Sequence, residues 1–285
     1  MPKKIVSVSV VAANYNNGIY LADFINSIND SSVLPKELII INDGSTDDSL
    51  QILDGFSHIK YLKVIKFEKN LGFCVALNAG IESATADYIL RIDPDDIILK
   101  ERIEKQFIFL ETNTEIDVVG SNVIYFSDET KKDLIKSNFP LKHAAIETTF
   151  KKGEHGVQHP STMIRSRVMK KYKYNQENFK AEDYEIFARI VNDGHKFANI
   201  KNPLTKMRVH NQSVSINIKY STIELTYKIR DKIFNTSTSQ LKIRFYYWYI
   251  LNYKKFLISN NILLKLFYLI LALLFNPSKL LKRIF

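Results

Sequence analysis

One cysteine, Cys74, stands in 285 residues. That excludes a disulfide framework and a cysteine zinc cluster, and it fits a reducing compartment. Glycine-rich phosphate loops of the Rossmann or Walker type are missing too, so a bound phosphate has to be held by a metal and by side chains. The C-terminal apolar run Ile262–Phe275 has 14 residues and is broken by Lys265, short of the roughly 20 that a spanning helix needs. The start, Met1-Pro2-Lys3-Lys4 and then alternating Val and Ser, carries no signal-peptide apolar region, which makes the cytoplasm the expected compartment. Acids are scarce at the other end. Residues 201–285 hold 15 Lys/Arg and two acids, Glu224 and Asp231, whereas the first 200 residues hold 25 bases and 28 acids. The net charge of +10 is therefore a property of the tail. A basic tail on a near-neutral body suggests an anionic partner, nucleic acid or membrane lipid.

What is present is ordinary globular composition, 46% hydrophobic and 25% charged. The length suits one large domain with appendages or two small ones. Ile5–Ala12, Leu38–Ile41, Tyr61–Phe67, Asp87–Ile92 and Ile116–Tyr125 read as strands. Helical spacing covers Ile19–Ile28, Phe73–Ser83 and Leu99–Leu110. Ser45-Thr46-Asp47-Asp48 has the spacing of a capping box and predicts a helix to about Phe56. Strands alternating with helices indicate βαβ units and a mostly parallel sheet. Right-handed crossovers put the strand ends on one edge, where ligands of such sheets bind. Tyr15, Asp43, Asn70 and Asp93–Asp96 follow successive strands, so these polar clusters are expected to share one crevice.

Beyond residue 130 the pattern weakens. A helix is expected at His143–Phe150, a loop at 151–156, a strand over His159–Ile164, a helix opening at Lys180–Tyr184, and short strands at Lys196–Ile200 and Leu204–Val209. A loop follows at His210–Ser215, then a polar helix at Ser221–Phe234.

The densest chemistry is Arg91-Ile92-Asp93-Pro94-Asp95-Asp96, three carboxylates within four residues at a strand end. Like charges this close raise one another's pKa. A hard divalent cation relieves the conflict and keeps open positions for phosphate oxygens. The plain alternative is a solvated turn with Asp as a helix cap.

Several segments in order resemble the family 2 glycosyltransferases: Ala13-Asn14-Tyr15-Asn16, Asn42-Asp43-Gly44-Ser45-Thr46-Asp47, Asn70-Leu71-Gly72 with Asn78-Ala79-Gly80, Asp87–Leu90 leading to Asp93-Pro94-Asp95-Asp96, Glu182-Asp183, and Arg208-Val209-His210. The resemblance spans about residues 5–215. It implies the GT-A fold, an α/β Rossmann-like, mostly parallel sheet flanked by helices, and an inverting reaction on a nucleotide-sugar donor. It implies that Tyr15 stacks on the base and that Asp43 accepts from the base imide, which favours uridine. Asp93 and Asp95, with Asp96 as a third candidate, would hold Mn²⁺ or Mg²⁺. Asp183 would be the catalytic base and Glu182 would orient it or bind the acceptor. Arg208 and His210 would contact the diphosphate or close over it, and His159 would line the acceptor pocket. Each has a plainer reading: Asp43 as a turn former, Asp183 as a helix-capping acid, Arg208 as a surface cation, His159 as structural. Two positions depart from the pattern. Ala13 stands where many relatives have Thr or Ser, and Leu77 where many have Arg.

These readings divide the chain into a donor-binding half at 1–125, an acceptor-binding and base-bearing half at 126–218, and a helical tail at 219–285. The tail packs Arg244-Phe245-Tyr246-Tyr247-Trp248-Tyr249 ahead of its short apolar run. Aromatic and basic flanks suit a helix lying in a membrane interface; the alternative is a terminal helix packed on the body. No nucleic-acid module is recognisable, and Leu-rich helices do not read bases. The expected protein is a peripheral enzyme at the cytoplasmic face of the inner membrane. It would move a hexose, glucose or galactose, from a UDP-sugar to a sugar hydroxyl of a polyprenyl-diphosphate-linked N-acetylhexosamine, for O-antigen, capsule or other surface polysaccharide. A polyprenol-phosphate sugar synthase and a non-catalytic nucleotide-sugar binder are the alternatives.

Overall fold

The computed structural model describes residues 3–210, 219–259 and 261–276. The expected loop at 211–215, the 218/219 boundary and the last nine residues of the tail lie outside them. The chain forms two compact units, residues 1–210 and 211–285.

The first unit opens with β1 (Ile5–Asn14), α1 (Gly18–Asn29), β2 (Leu34–Asp43), α2 (Ser49–Gly55), β3 (Leu62–Phe67), α3 (Phe73–Ser83) and β4 (Tyr88–Arg91). It continues through β5 (Ile97–Ile98), α4 (Arg102–Thr112), β6 (Val118–Ser127), β7 (Asp133–Lys136), α5 (His143–Lys151), β8 (Met163–Arg165), α6 (Ser166–Lys171), α7 (Glu182–Asn192) and β9 (Phe197–Val209). Strands run in the order β3-β2-β1-β4-β8-β6-β9-β5, with β7 beside β6. The first four are parallel, because helices cross between them. β8 enters antiparallel to β4, with Leu90 opposite Met163.

β1, β2 and β4 are almost wholly buried, which explains their continuous apolar runs. The apolar face of α1, Leu21, Phe24, Ile25 and Ile28, packs with Val8, Val10 and Leu38 in one core. Gly80 of α3 lets that helix lie against the sheet; a Cβ there would meet Val11 and Ile41 within 2.6 Å. Buried Glu37 ties this half together. Burial pushes its pKa up, but hydrogen bonds from Lys63, Ser9 and Thr85 hold it down at about 2.

Several sequence expectations change here. Ser45–Asp48 is not a capping box: α2 starts at Ser49, and the N-cap Asp48 makes no side-chain bond to it. Ser45 instead accepts from Asn14 and Asn16, while Asp47 accepts from Gly18 with one oxygen and from the Ser49 N–H and hydroxyl at the start of α2 with the other. Tertiary partners outcompeted the local cap. His159–Ser161 is a 3₁₀ turn, and only Met163–Arg165 is strand, since Pro160 suits the first turn of a helix better than a ladder. The two short strands expected around 196–209 are one strand, β9. Its pairing with β6 shifts register at Asn122, opposite Pro203, so a bulge absorbs the missing N–H.

The second unit contains α8 (Tyr220–Ile233), α9 (Gln240–Ile258) and α10 (Ile262–Phe275). Ile223 and Tyr227 pack with Ile243, and Tyr249 packs with Ala272. Leu263 and Leu274 of α10 stay 73% and 72% exposed. Among the described residues no helix is long and apolar enough to cross a membrane.

Candidate active site

The carboxyl ends of β3, β2, β1 and β4 lie side by side, and the loops leaving them are tied to one another. Asn14 and Asn42, in register at adjacent strand ends, are hydrogen-bonded at 3.1 Å. Asn16, at φ 54°, donates its N–H to Ser45 and accepts from the N–H of Thr46 at 2.8 Å. This pins the turn carrying Tyr15, whose ring is 46% exposed at the crevice rim. Asp43 ends β2, is buried, and accepts from the N–H groups of Leu71 and Gly72 at 2.7 and 3.0 Å. Gly44 follows at φ +65°, with its Cβ position 2.3 Å from the Lys69 backbone, so this approach of two loops requires glycine. Ala13 and Leu77, the two departures, are both buried.

β4 delivers the acid cluster. Ligand-type oxygens of Asp93, Asp95 and Asp96 lie within 4.8 Å of one another. The turn closes through the Asp96 N–H on the Asp93 carbonyl, 3.1 Å. Arg91 pairs with Asp93 at 2.6 Å and His210 Nε2 sits 3.3 Å from Asp95. Asp96 is buried; one oxygen accepts the Arg208 N–H at 2.9 Å, and the other has no partner among the described residues. Burial, then the charges of Asp95 and Asp93, push the Asp96 pKa well up. Burial also raises Asp93, against the pull of Arg91. Crowded carboxylates with an orphaned buried oxygen are a donor set that a hard divalent cation fits.

The second acid pair opens α7, whose first turn carries Glu182, Asp183 and Glu185. Lys180, two residues ahead, sits at φ 81° and donates its N–H to Glu182 at 2.5 Å. A non-glycine residue in that conformation is strained, and strain of this kind collects at functional sites. Burial and the neighbouring Asp183 push Glu182 up to about 7. Asp183 is partly exposed, 31% at the side chain, with His155 Nδ1 3.7 Å away. Its charge adds to the rise of Asp93, so the two acid groups lie within electrostatic reach of each other.

Arg91 lies between them. Its guanidinium is 3% exposed, stacks over Phe73 at 5.3 Å, and opposes the charge of Glu182 as well as Asp93. Sequence reasoning gave it no role, although a single cation directly ahead of three acids was the available signal. Tyr20, Asp23 and Asp128, which gather around Arg208, left no such trace; they come from distant segments. His159 does not reach the crevice surface. It is 6% exposed, hydrogen-bonded to the Tyr174 hydroxyl at 2.6 Å, and edge-on to Tyr174 and Phe187. Burial holds its pKa well below the usual range, as for a core histidine.

An open α/β sheet with an acid cluster at the end of β4 and a second acid pair across the crevice defines a GT-A glycosyltransferase. The chain superposes on the crystal structure of S. aureus TarS 1–349 in complex with UDP-GlcNAc with a TM-score of 0.61, 19% identity, and coverage of 96% of this chain and 82% of that one. The family model for glycosyl transferase family 2 matches residues 9–173. The amylovoran biosynthesis glycosyltransferase AmsE of Erwinia amylovora is 32% identical over 197 residues, 68% of this chain and 73% of AmsE. An Escherichia coli UDP-Gal:α-D-GlcNAc-diphosphoundecaprenol β-1,3-galactosyltransferase is 27% identical over 223 residues, 76% of this chain and 80% of that enzyme. The chain belongs to glycosyltransferase family 2 and is a glycosyltransferase.

Proposed function

We propose that this enzyme transfers a hexose, with inversion, from a UDP-sugar to a sugar hydroxyl of a polyprenyl-diphosphate-linked acceptor during surface-polysaccharide assembly. The observation that carries the reading is the meeting of Asp93, Asp95 and Asp96 with Glu182 and Asp183 around Arg91. Relatives named for amylovoran biosynthesis and for a diphosphoundecaprenol-linked acceptor support the acceptor class.

In this reading Tyr15 stacks on the uracil. Asp43 keeps lone pairs beyond the two N–H bonds it accepts, and one of them takes the base imide proton donor. Asp93, Asp95 and Asp96 would hold Mn²⁺ or Mg²⁺. When bound, the cation neutralises charge gathering on the departing diphosphate. Asp183 takes the proton of the acceptor hydroxyl as that oxygen bonds to the anomeric carbon and the bond to the UDP oxygen breaks. Its place in the first turn of α7 favours a carboxylate. Glu182, protonated up to about pH 7, donates a hydrogen bond and adds no second charge beside the base. His210 borders Asp95 on the diphosphate side. His159 supports the acceptor side from below through Tyr174.

The exposed apolar face of α10, with Lys255 and Lys265 nearby, would rest on the anionic cytoplasmic leaflet where such acceptors reside. Calorimetric titration of UDP with and without Mn²⁺ tests the donor site. Micromolar, metal-dependent binding that disappears in Asp95→Ala is expected; binding indifferent to metal and to Asp95 would reject the cation site.

A further inference from the structure

Arg208 is committed to protein partners on every side. Its Nη1 pairs with Asp128 at 2.6 Å and Nη2 with Asp23 at 3.2 Å. Nε donates to the backbone carbonyl of Asp95 at 2.8 Å, and the backbone N–H donates to Asp96. The guanidinium carbon lies 4.6 Å from the Tyr20 ring centre and 4.9 Å from that of Phe126. The side chain is 2% exposed. Tyr20 in turn donates its hydroxyl to Asp128. These contacts join α1, the end of β6, β9 and the loop after β4 through one side chain.

We propose that Arg208 is a positioning residue that fixes the Asp93–Asp96 loop for its cation, and does not itself bind the donor's diphosphate. The inference rests on the reading of those aspartates as a cation site. Three carboxylates in one turn repel each other, so the turn needs an external hold. Arg208 supplies it from a planar fork: Nε grips the Asp95 backbone while the two terminal nitrogens are anchored on Asp128 and Asp23. To reach a phosphate the guanidinium, itself 2% exposed, would have to leave the partly buried Asp128 carboxylate, the Asp95 carbonyl and two aromatic faces; its pair with Asp23, which is 62% exposed, adds less. A lysine, a point charge on a flexible stem, cannot hold the Asp95 carbonyl and both acids at once.

The two roles separate at Asp128, which touches Arg208 and no metal-loop residue in the contacts above. The test titrates UDP calorimetrically into the full-length protein at a series of Mn²⁺ concentrations, and uridine without metal. The proteins are wild type, Arg208→Met, Arg208→Lys, Asp128→Asn and Arg208→Met/Asp128→Asn. The Mn²⁺ concentration that gives half-maximal UDP affinity should rise roughly tenfold in both Arg208 variants, as for loss of an outer-shell support, and by about threefold in Asp128→Asn, within the range of coupled neighbours. Uridine affinity should not move. The double variant should be no worse than Arg208→Met, because both changes release the same loop. Weaker UDP binding at saturating Mn²⁺ in Arg208→Met, with Asp128→Asn unchanged or tighter, would make Arg208 a phosphate ligand and overturn the proposal. If thermal melts show the Arg208 variants unfolded, Asp128→Asn decides alone: an unchanged metal requirement overturns the role. A wild type indifferent to Mn²⁺ would overturn the cation reading and this inference with it; a metal-dependent wild type with an unaffected Asp128→Asn overturns only this one.

Discussion

Glu182 and Asp183 are neighbours in sequence with different surroundings. Glu182 is mostly buried and is held at about 7; its ordinary value is 4.5. The folded state therefore binds a proton there that the unfolded chain has released. The stability from that proton is fully present below pH 4.5 and is lost as pH rises through about 7. Glu182→Gln, neutral throughout, should melt at a higher temperature than wild type at pH 8 and show no such gain at pH 4.5, read by calorimetry. Asp183→Asn should lower kcat by roughly 10²–10⁴-fold, the range for loss of a general base, with UDP affinity nearly unchanged; an active Asn variant would remove Asp183 from the mechanism. Legibility at this scale followed local density. Three aspartates in one turn were conspicuous, whereas Arg91 became interpretable only when folding set it against both acid groups.

At the scale of elements, α4 shows what the amphipathic pattern left out. Its Arg102 is fully buried and donates to the carbonyls of Arg91 and Thr162 and to Thr205, while Gln106 donates to Ser161 and Val119. These polar side chains staple the helix to β4, to the turn before β8 and to β9. Arg102→Ala should cost at least about 2 kcal/mol in denaturant unfolding, because it strands buried carbonyls. α10 presents the opposite case, an apolar helix with too little partner surface. Leu263→Glu with Leu274→Glu should reduce co-sedimentation with anionic vesicles at least about tenfold, since burying each leucine in lipid is worth roughly 1.5–3 kcal/mol. The fold of these exposed positions should be unharmed, and unchanged vesicle binding would count against the tail as an anchor. Neither β5 nor β7 was visible in the sequence. One has two residues, and the other is exposed along its length, so neither carries an alternating pattern.

At the scale of the whole molecule, ligand and fold are linked. Burial and neighbouring carboxylates raise Asp93 and Asp96. On the proposed cation site, Mn²⁺ at about 100 times its dissociation constant should stabilise the protein by about 2.7 kcal/mol against unfolding. Thermal melts check this, and Asp95→Ala should lose the metal-induced shift. The sheet order β3-β2-β1-β4 underlies the arrangement, because it places four consecutive strand ends on one edge.

The sequence by itself determined the class of fold, the alternation of strands and helices in the parallel half and the loops that carry acids. These rest on hydrophobic period and local turn chemistry, which neighbouring residues set. It also showed where positive charge gathers. Only the tertiary structure decided that Ser45 binds another loop instead of capping a helix, that Asp47 is shared between Gly18 and the start of α2, that His159 is core, and that Arg208 is enclosed by Tyr20, Asp23, Phe126 and Asp128. The decisive partners of Ser45, Asp47 and Arg208 lie at least 29 residues away, and His159 is set by burial. A polar side chain satisfies itself with whatever the fold brings near, and no local pattern encodes that neighbour.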